Sequence, residues 1–278
     1  MQLEILSHLP TEKPRGVPIL FVHGAWHGAW CWEKHFLPYF ASMGFAAYAV
    51  SLRGHGNSTA LAHLRWLRVA DYVADVAEAV KTLPETPVLV GHSMGGLVIQ
   101  KYLETHSAPA AVLMASVPVN GVLRTALRIA RRHPLSFLKT NLTWSLYPII
   151  GTPALSREAF FSEGMPENTL RSYFRRLQDE SYLAFLDMMV FNLPRPERVS
   201  AKLLILGAQD DSIFHTDEVE MTAAAYGTAP EIFSGMAHDM MLEAGWRAVA
   251  DRIIQWLGEK GIRMPRDWGG SKNESGQA

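Results

Sequence analysis

The chain has 278 residues, of which 48% are apolar and 19% are charged, and its formal net charge is −1. This is the composition of an ordinary globular protein with enough apolar residues for a sizeable core. The near-neutral charge argues against a nucleic-acid partner, since nucleic-acid-binding domains are commonly basic.

The amino-terminal residues lack a basic start followed by an apolar stretch, and no apolar run approaches the about 18 residues needed to span a bilayer. The single cysteine, Cys31, excludes an internal disulfide and a cysteine-based metal site. We therefore expect no signal peptide, no transmembrane segment and a cytoplasmic location, which suits a chain without disulfides.

Short apolar runs alternate along the chain with segments of helical spacing. The runs are residues 17–22, 45–52, 88–90, 110–115, 202–206 and 230–233, with residues 3–6 as a further candidate for an edge strand. The helical segments are residues 30–43, 69–83, 94–106, 217–226 and 246–259. Continuous apolar runs favour strands buried on both faces of a parallel sheet. The alternation predicts an α/β fold with a mostly parallel, doubly wound sheet flanked by helices.

The alternation stops between residues 121 and 198. This stretch has helix-like pieces, no convincing strand and many large apolar side chains. We expect a helical cap inserted between two strands and lying over the active face. The predicted division is a core of residues 1–120 and 199–262, a cap of residues 121–198, and a flexible tail of residues 263–278 that is rich in polar residues.

Residues 91–95 read Gly-His-Ser-Met-Gly and lie between an apolar run and a helical pattern. A strand that ends in Gly-x-Ser-x-Gly and continues into a helix turns so sharply that the serine hydroxyl is presented at the sheet edge. Gly91 and Gly95 avoid the collisions that side chains would make with the neighbouring strand and helix. We predict that Ser93 is a nucleophile, the alternative being a plain strand-to-helix turn.

A serine nucleophile needs a base within hydrogen-bond reach, and the base needs an acidic partner. His238 follows the last predicted strand and is the candidate base, whereas His92, next to the serine, is expected to be structural. The acid should follow the preceding strand, where Asp210 and Asp211 compete. We prefer Asp211 because Ile213, two residues later, can pack inward while Asp211 faces the histidine. The order Ser, Asp, His is typical of one hydrolase architecture.

The negative oxygen of a tetrahedral intermediate requires preorganised donors. The backbone N–H of Met94 lies at a predicted helix start, where N–H groups are free and the helix dipole is positive. The second donor should come from the glycine-containing loop after an early strand. We assign it to the N–H of Ala25, with Trp26 as the nearest alternative.

Together these segments resemble the α/β-hydrolase superfamily. The resemblance rests on His23-Gly24 after a strand, the Gly91–Gly95 motif, and the loops that hold Asp210/Asp211 and His238. Residues 23–32 are similar to the plant methyl esterase and hydroxynitrile lyase branch, and residues 51–58 look more like lysophospholipases and monoacylglycerol lipases. The resemblance covers residues 1–120 and 199–260, and it implies ester, thioester or related acyl chemistry without a metal or an organic cofactor.

The sequence thus predicts a serine esterase that cleaves carboxylic esters through an acyl-enzyme, with Ser93, Asp211 and His238 as its triad. The apolar cap favours hydrophobic acyl or aryl esters. The expected partner is a small-molecule ester, and no cofactor or metal is expected. The oligomeric state is not indicated. The alternatives are hydroxynitrile cleavage, perhydrolysis, C–C hydrolysis or acyl transfer by the same residues, and a non-catalytic small-molecule receptor. Epoxide hydrolysis and dehalogenation are disfavoured because those branches place an aspartate where Ser93 stands.

Three further features have plain structural explanations. Arg124, Arg128, Arg131 and Arg132 recur at helical spacing, which favours a solvated helix face over contact with an anionic head group or membrane surface. Asp71 and Asp75 are four residues apart on a predicted helix, where two like charges usually face solvent. Residues 53–56 are expected to shape a loop near the site.

Overall fold

The computed structural model describes residues 2–14, 16–60 and 62–265, so residues 266–278 of the predicted tail lie outside the described residues. Seven strands form one sheet in the order β1-β3-β2-β4-β5-β6-β7. They are β1 (Glu4–His8), β2 (Ile19–Val22), β3 (Ala47–Ser51), β4 (Val88–His92), β5 (Ala111–Met114), β6 (Leu203–Ala208) and β7 (Pro230–Phe233). The edge strand β1 is antiparallel to β3, and every other neighbouring pair is parallel. The predicted fold class is confirmed.

Eleven α-helices accompany these strands in the described ranges. They are α1 (Trp30–Glu33), α2 (Phe36–Ser42), α3 (Val69–Thr82), α4 (Met94–Leu103), α5 (Leu123–Arg132), α6 (Pro134–Thr143), α7 (Pro153–Phe160), α8 (Glu167–Phe174), α9 (Tyr182–Leu186), α10 (Thr216–Ala225) and α11 (Trp246–Glu259). Short 3-10 helices span Leu64–Trp66, Tyr147–Ile149 and Pro196–Arg198, and a π-helical turn spans Asp187–Phe191. None of the described helices is both long and apolar enough to cross a membrane.

The predicted helix over residues 30–43 is two helices, α1 and α2. The break falls at Lys34 and His35, and the backbone of His35 leaves the helical region with φ −126° and ψ −59°. Pro38 explains this break, because a proline ring inside a continuous helix would clash with the carbonyl four residues earlier, that of Lys34. The single-helix prediction was wrong at this point.

The core has one apolar layer on each face of the sheet. One layer joins α1, α2 and α11 to the sheet, and its buried side chains include Phe21, Trp32, Phe36, Phe40 and Ile253. The other layer joins α3, α4 and α10 to the sheet, and includes Leu20, Tyr72, Leu97, Val98 and Val219. Both faces of the parallel strands are thus buried, as is usual for a parallel sheet. Because the strands are parallel, their carboxyl ends lie at the same edge of the sheet.

The prediction that Asp75 faces solvent was wrong. Asp75 is fully buried on α3 and accepts hydrogen bonds from the backbone N–H of Arg53 and from its Nε, both at 2.8 Å. Burial raises the pKa of Asp75, although its contacts with Arg53 oppose the rise. Arg53 also contacts the carboxylate of Asp71 at 3.1 Å. The loop that follows β3 is therefore anchored to α3.

The segment between β5 and β6 contributes helices α5 to α9 and no strand to the sheet, within the part of the chain that the structure describes. One of its contacts with the loop after β2 is made by the backbone N–H of Gln178, which donates to the carbonyl of Trp26 at 3.0 Å. The Gln178 side chain also bridges the loop after β3, where its Oε1 accepts from the N–H of Gly56 at 2.9 Å. The division into separate core and cap domains stays a prediction.

Candidate active site

Ser93 lies in a strained turn between β4 and α4. Its backbone has φ 52° and ψ −119°, a region that non-glycine residues rarely adopt. The flanking glycines make this turn possible. A Cβ on Gly91 would lie 2.6 Å from the carbonyl oxygen of Gly95, and one on Gly95 would lie 2.4 Å from that of Val22. Such strain persists only where the surrounding structure enforces it, and it is concentrated at functional sites.

Asp211 and His238 are joined by a buried hydrogen bond. The Nδ1–H of His238 donates to Oδ2 of Asp211 at 2.7 Å. Oδ1 of Asp211 accepts from the backbone N–H groups of Ile213 at 2.7 Å and Phe214 at 3.0 Å, so the carboxylate is held from both sides. Asp210 is exposed and makes no hydrogen bond with His238. The proton on Nδ1 leaves Nε2 of His238 as the basic nitrogen.

His92 connects the serine turn to the His238 loop. The Nε2–H of His92 donates to the backbone carbonyl of His238 at 3.0 Å, and the two rings lie 4.7 Å apart between centroids. Burial lowers the pKa of His92 to about 3, so this ring is neutral. These contacts agree with the structural role predicted for His92. Within the described residues no hydrogen bond joins the hydroxyl of Ser93 to His238, and in substrate-free enzymes this contact is often long.

Ala25 and Met94, the residues of the two predicted oxyanion donors, line one cavity together with Ser93 and Trp26. Met94 is the first residue of α4, where an N–H group has no partner inside the helix. The loop after β2 approaches closely because residue 24 is glycine. A Cβ there would lie 2.8 Å from Cβ of Ser93. Trp26 also lines the cavity, so the amides of Ala25 and Trp26 both remain candidates for the second donor.

A buried ion pair, which no motif in the sequence predicts, joins the Ala25 loop to the His238 loop. Nε2 of His27 lies 3.0 Å from Oδ2 of Asp239, and Nδ1 of His27 lies 2.7 Å from the carbonyl oxygen of Ala25. Both partners of the ring are acceptors when Asp239 is ionised, so both ring nitrogens donate and His27 is an imidazolium. Burial alone would lower the pKa of His27 and raise that of Asp239, but their mutual attraction reverses both shifts.

This pair makes stability depend on pH in a defined direction. The pKa of His27 is raised in the folded state. The contribution of the ion pair to the free energy of unfolding is therefore complete below about pH 6.5, and it is lost as the pH rises through the higher pKa of the folded state. The His27→Gln variant leaves Asp239 buried without its cation. It should be less stable than the wild type by about 3 kcal/mol at pH 5.5.

Urea unfolding at pH 5.5 and pH 9 tests this expectation. The difference between wild type and His27→Gln should shrink at the higher pH, because the wild type loses its own ion pair there. His63→Gln, at an exposed histidine, is the control and should change little at either pH. If the difference in unfolding free energy between the wild type and His27→Gln were the same at both pH values, the imidazolium assignment would be contradicted.

A second buried pair joins the loop after β3 to the segment before α9. Nε2 of His55 lies 3.0 Å from Oε2 of Glu180, and the hydroxyl of Tyr72 donates to Oε1 of Glu180 at 2.7 Å. All three side chains are buried. Burial lowers the pKa of His55, but the Glu180 carboxylate more than offsets this and leaves the pKa raised. The inserted segment is thus fixed to the loop after β3 and to α3 by buried polar contacts, the His55–Glu180 ion pair among them.

The cavity next to Ser93 has a volume of about 490 Å³. Its walls come from the sheet edge and from the inserted helices, and they are mainly apolar. They include Val122, Ile129, Phe137, Leu146, Ile149 and Phe185. The titratable residues of the wall are Arg128, Arg131, Arg132, His133, Glu158 and His215. The cavity therefore suits a ligand that is largely hydrophobic.

One group of buried side chains has a geometry that a metal ion could use. His92, His238 and Asp239 place possible ligand atoms within 4.8 Å of one another. Hydrogen bonds within the protein already hold these side chains. His92 bonds to the His238 carbonyl, the His238 ring bonds to Asp211, and Asp239 bonds to His27. A metal there would compete for the histidine that Asp211 orients, so we assign this group to the hydrogen-bond network.

The model of the alpha/beta hydrolase family matches residues 19–252. The chain belongs to this family. Methylesterase 1 of Arabidopsis thaliana is 34% identical to this α/β-hydrolase over 252 residues, which cover 89% of this chain and 85% of the relative. Methylesterase 2 of the same plant is 29% identical over 140 residues, and this match spans only 50% of either chain.

Solved structures support the fold. The putative non-heme bromoperoxidase from Mycobacterium tuberculosis H37Rv superposes on this α/β-hydrolase with a TM-score of 0.75 at 18% sequence identity. The match covers 94% of this chain and 97% of that one. At such low identity the likeness establishes the architecture alone, since one fold carries many chemistries. The reaction must be argued from the site.

Proposed function

We propose that this α/β-hydrolase is a serine esterase with Ser93 as nucleophile, His238 as base and Asp211 as the orienting acid. The observation that carries the proposal is the buried 2.7 Å hydrogen bond from His238 Nδ1 to Asp211. The His238 backbone is linked to the strained turn of Ser93 by the hydrogen bond from His92, the residue before the serine. The similarity to methylesterases supports ester hydrolysis as the reaction. Nothing in this mechanism calls on a metal or a cofactor.

In the proposed reaction, the hydroxyl oxygen of Ser93 attacks the ester carbonyl while Nε2 of His238 accepts the hydroxyl proton. The developing oxyanion accepts hydrogen bonds from the backbone N–H of Met94 and from that of Ala25 or Trp26. His238 then donates the proton to the departing alcohol, which leaves an acyl group on Ser93. A water molecule activated by the same histidine releases the acid and restores the serine.

The cavity supports a hydrophobic acyl or aryl ester as the substrate class. We infer that residues 121–198 act as a cap, because helices α5, α6 and α7 contribute apolar side chains to the cavity wall. A volume of about 490 Å³ accommodates considerably more than an acetyl group. Each methylene moved from water to such a wall contributes about 0.8 kcal/mol, or about fourfold in affinity.

A panel of p-nitrophenyl esters from acetate to octanoate tests both the reaction and the substrate class. We expect kcat/KM to rise by about tenfold or more from acetyl to a medium-chain acyl group. Phe137→Ala, in the cavity wall, should reduce this preference, whereas Tyr48→Ala, away from the cavity, should preserve it. Equal turnover of short and medium chains would contradict the hydrophobic substrate class.

A fluorophosphonate probe and a cyanohydrin separate the remaining possibilities. The probe should label the wild-type chain at Ser93. Ligand binding without labelling and without ester hydrolysis would contradict the esterase proposal and indicate a receptor. Cleavage of a cyanohydrin in the absence of ester hydrolysis would instead indicate hydroxynitrile lyase chemistry.

A further inference from the structure

Two of the helices that line the cavity carry exposed leucines on their outer sides. Leu123 and Leu127 on α5, and Leu135, Leu138 and Leu142 on α6, are between 44% and 81% exposed. The spacing of these residues places them along one side of each helix. We call these five residues the leucine face. Scattered apolar residues are common on protein surfaces, but grouped ones on adjoining helices mark interaction sites.

The opposite sides of both helices are firmly attached to the protein. On α5, the hydroxyl of Thr125 donates to the carbonyl of Ile213 at 2.9 Å. On α6, Phe137 lines the cavity, Thr140 is fully buried, and Asn141 accepts a hydrogen bond from the hydroxyl of Tyr182 at 2.8 Å. The leucine face therefore points outward because the inner sides are occupied.

The charged residues on α5 and α6, the helices of the leucine face, are all cations. No aspartate or glutamate occurs between residues 105 and 157, whereas this stretch contains five cationic residues on α5 and α6. They are Arg124, Arg128, Arg131, Arg132 and Lys139. Carboxylates from other segments pair with three of them, namely Arg124 with Asp217 at 3.1 Å, Arg128 with Glu218 at 2.7 Å, and Arg132 with Glu158 at 2.6 Å.

Arg131 and Lys139 are the cations that remain without a carboxylate partner among the described residues, and both are exposed. An occupant of this surface must accept leucine side chains and also complement positive charge. A second copy of the chain meets only the first condition, because a two-fold contact through this face would bring the same cations together. An anionic bilayer meets both, since leucines enter the acyl region while cations contact phosphate groups.

We propose that the leucine face, together with Arg131 and Lys139, docks this protein on an anionic lipid bilayer. For Arg131 this proposal replaces the solvated helix face that the spacing of the arginines favours, because the exposed leucines lie on the same helices. Arg131 lines the cavity as well as being exposed, so the cavity opens beside the docked surface. A hydrophobic ester dissolved in the bilayer would then reach the site without crossing water. Docking itself is independent of the esterase proposal, because it requires only the outer sides of α5 and α6.

Vesicle flotation of the full chain tests the proposal. The probes are vesicles of phosphatidylcholine alone and of phosphatidylcholine with one quarter phosphatidylglycerol. We expect at least tenfold stronger binding to the anionic vesicles, with a strong decrease at 0.5 M salt. The triple variant Leu135→Ser, Leu138→Ser, Leu142→Ser and the double variant Arg131→Glu, Lys139→Glu should each lose at least tenfold in binding.

Matched controls make the result interpretable. Leu9→Ser replaces another leucine that is 58% exposed, and it should bind as the wild type does. Ser93→Ala should also bind normally, which separates docking from catalysis. Circular dichroism checks that each variant is folded. Equal binding to both vesicle types, or no binding, would overturn the proposal. A wild-type dimer that dissociates in the triple variant and ignores vesicles would assign the leucine face to a second copy instead.

Discussion

Replacing Ser93 with alanine should reduce ester hydrolysis by about 10⁴-fold or more, while the melting temperature changes little. The substitution removes the oxygen that is proposed to attack the ester and retains Cβ, so the strained backbone at φ 52° does not have to accommodate a larger side chain. The remaining rate over water would come from the oxyanion donors and from binding in the cavity. Initial rates with a medium-chain ester, measured at matched enzyme concentrations, give the ratio.

Ser116 offers a control of similar burial. Ser116 and Ser93 are both 7% exposed, but the Ser116 hydroxyl accepts a hydrogen bond from Nε2 of Gln100 at 2.9 Å and does not line the cavity. Ser116→Ala should keep hydrolysis within a few-fold of the wild type. If Ser93→Ala retained more than a few per cent of the activity, another group would be the nucleophile.

Replacing Asp211 with asparagine should reduce kcat by about 10⁴-fold. The amide nitrogen of asparagine can donate to Nδ1 of His238, which favours the tautomer whose proton sits on Nε2 and cannot accept the serine proton. The amide oxygen can still accept from the N–H groups of Ile213 and Phe214, so the loop geometry should be preserved. The expected loss is therefore one of proton transfer and not of folding.

The neighbouring variant Asp210→Asn provides the matched control for this prediction. Asp210 is exposed and contributes its backbone N–H to the carbonyl of Met236 at 2.9 Å, a contact that the substitution leaves intact. Its kcat should stay within about twofold of the wild type, as is usual for surface substitutions. Steady-state rates of both variants, with unfolding curves for each, decide between the two aspartates. A larger loss in Asp210→Asn would reverse the assignment.

Much of the sheet could be predicted from the sequence because its signals are local. Continuous apolar runs identified the strands, and Gly91-His92-Ser93-Met94-Gly95 located the turn between β4 and α4. The break between α1 and α2 also has a local signal, Pro38, whose effect outweighs the helical spacing of residues 30–43. Local signals of this kind depend on backbone geometry, which neighbouring residues largely determine.

The buried ion pairs could not be predicted in the same way. His27 and Asp239 are separated by 212 positions, and Asp75 owes its burial to Arg53 on another element. A charged side chain is normally exposed unless a partner accompanies it, and the partner is known only after the chain is folded. Spacing on a single helix therefore gave the wrong environment for Asp75. Sequence adjacency to His238 was the one available signal for Asp239.

The ion pair between His55 and Glu180 constrains how this α/β-hydrolase can be recombined with other members of its family. Because closing a longer or shorter loop costs only about 0.6 kcal/mol per doubling of length, the connection between β5 and β6 can be exchanged without large entropic cost. A transplanted segment that lacked a carboxylate at position 180 would leave the His55 ring buried without the acceptor of its Nε2–H group. Chimeras that seek new specificity should therefore carry an acidic residue there, or replace His55 in the recipient.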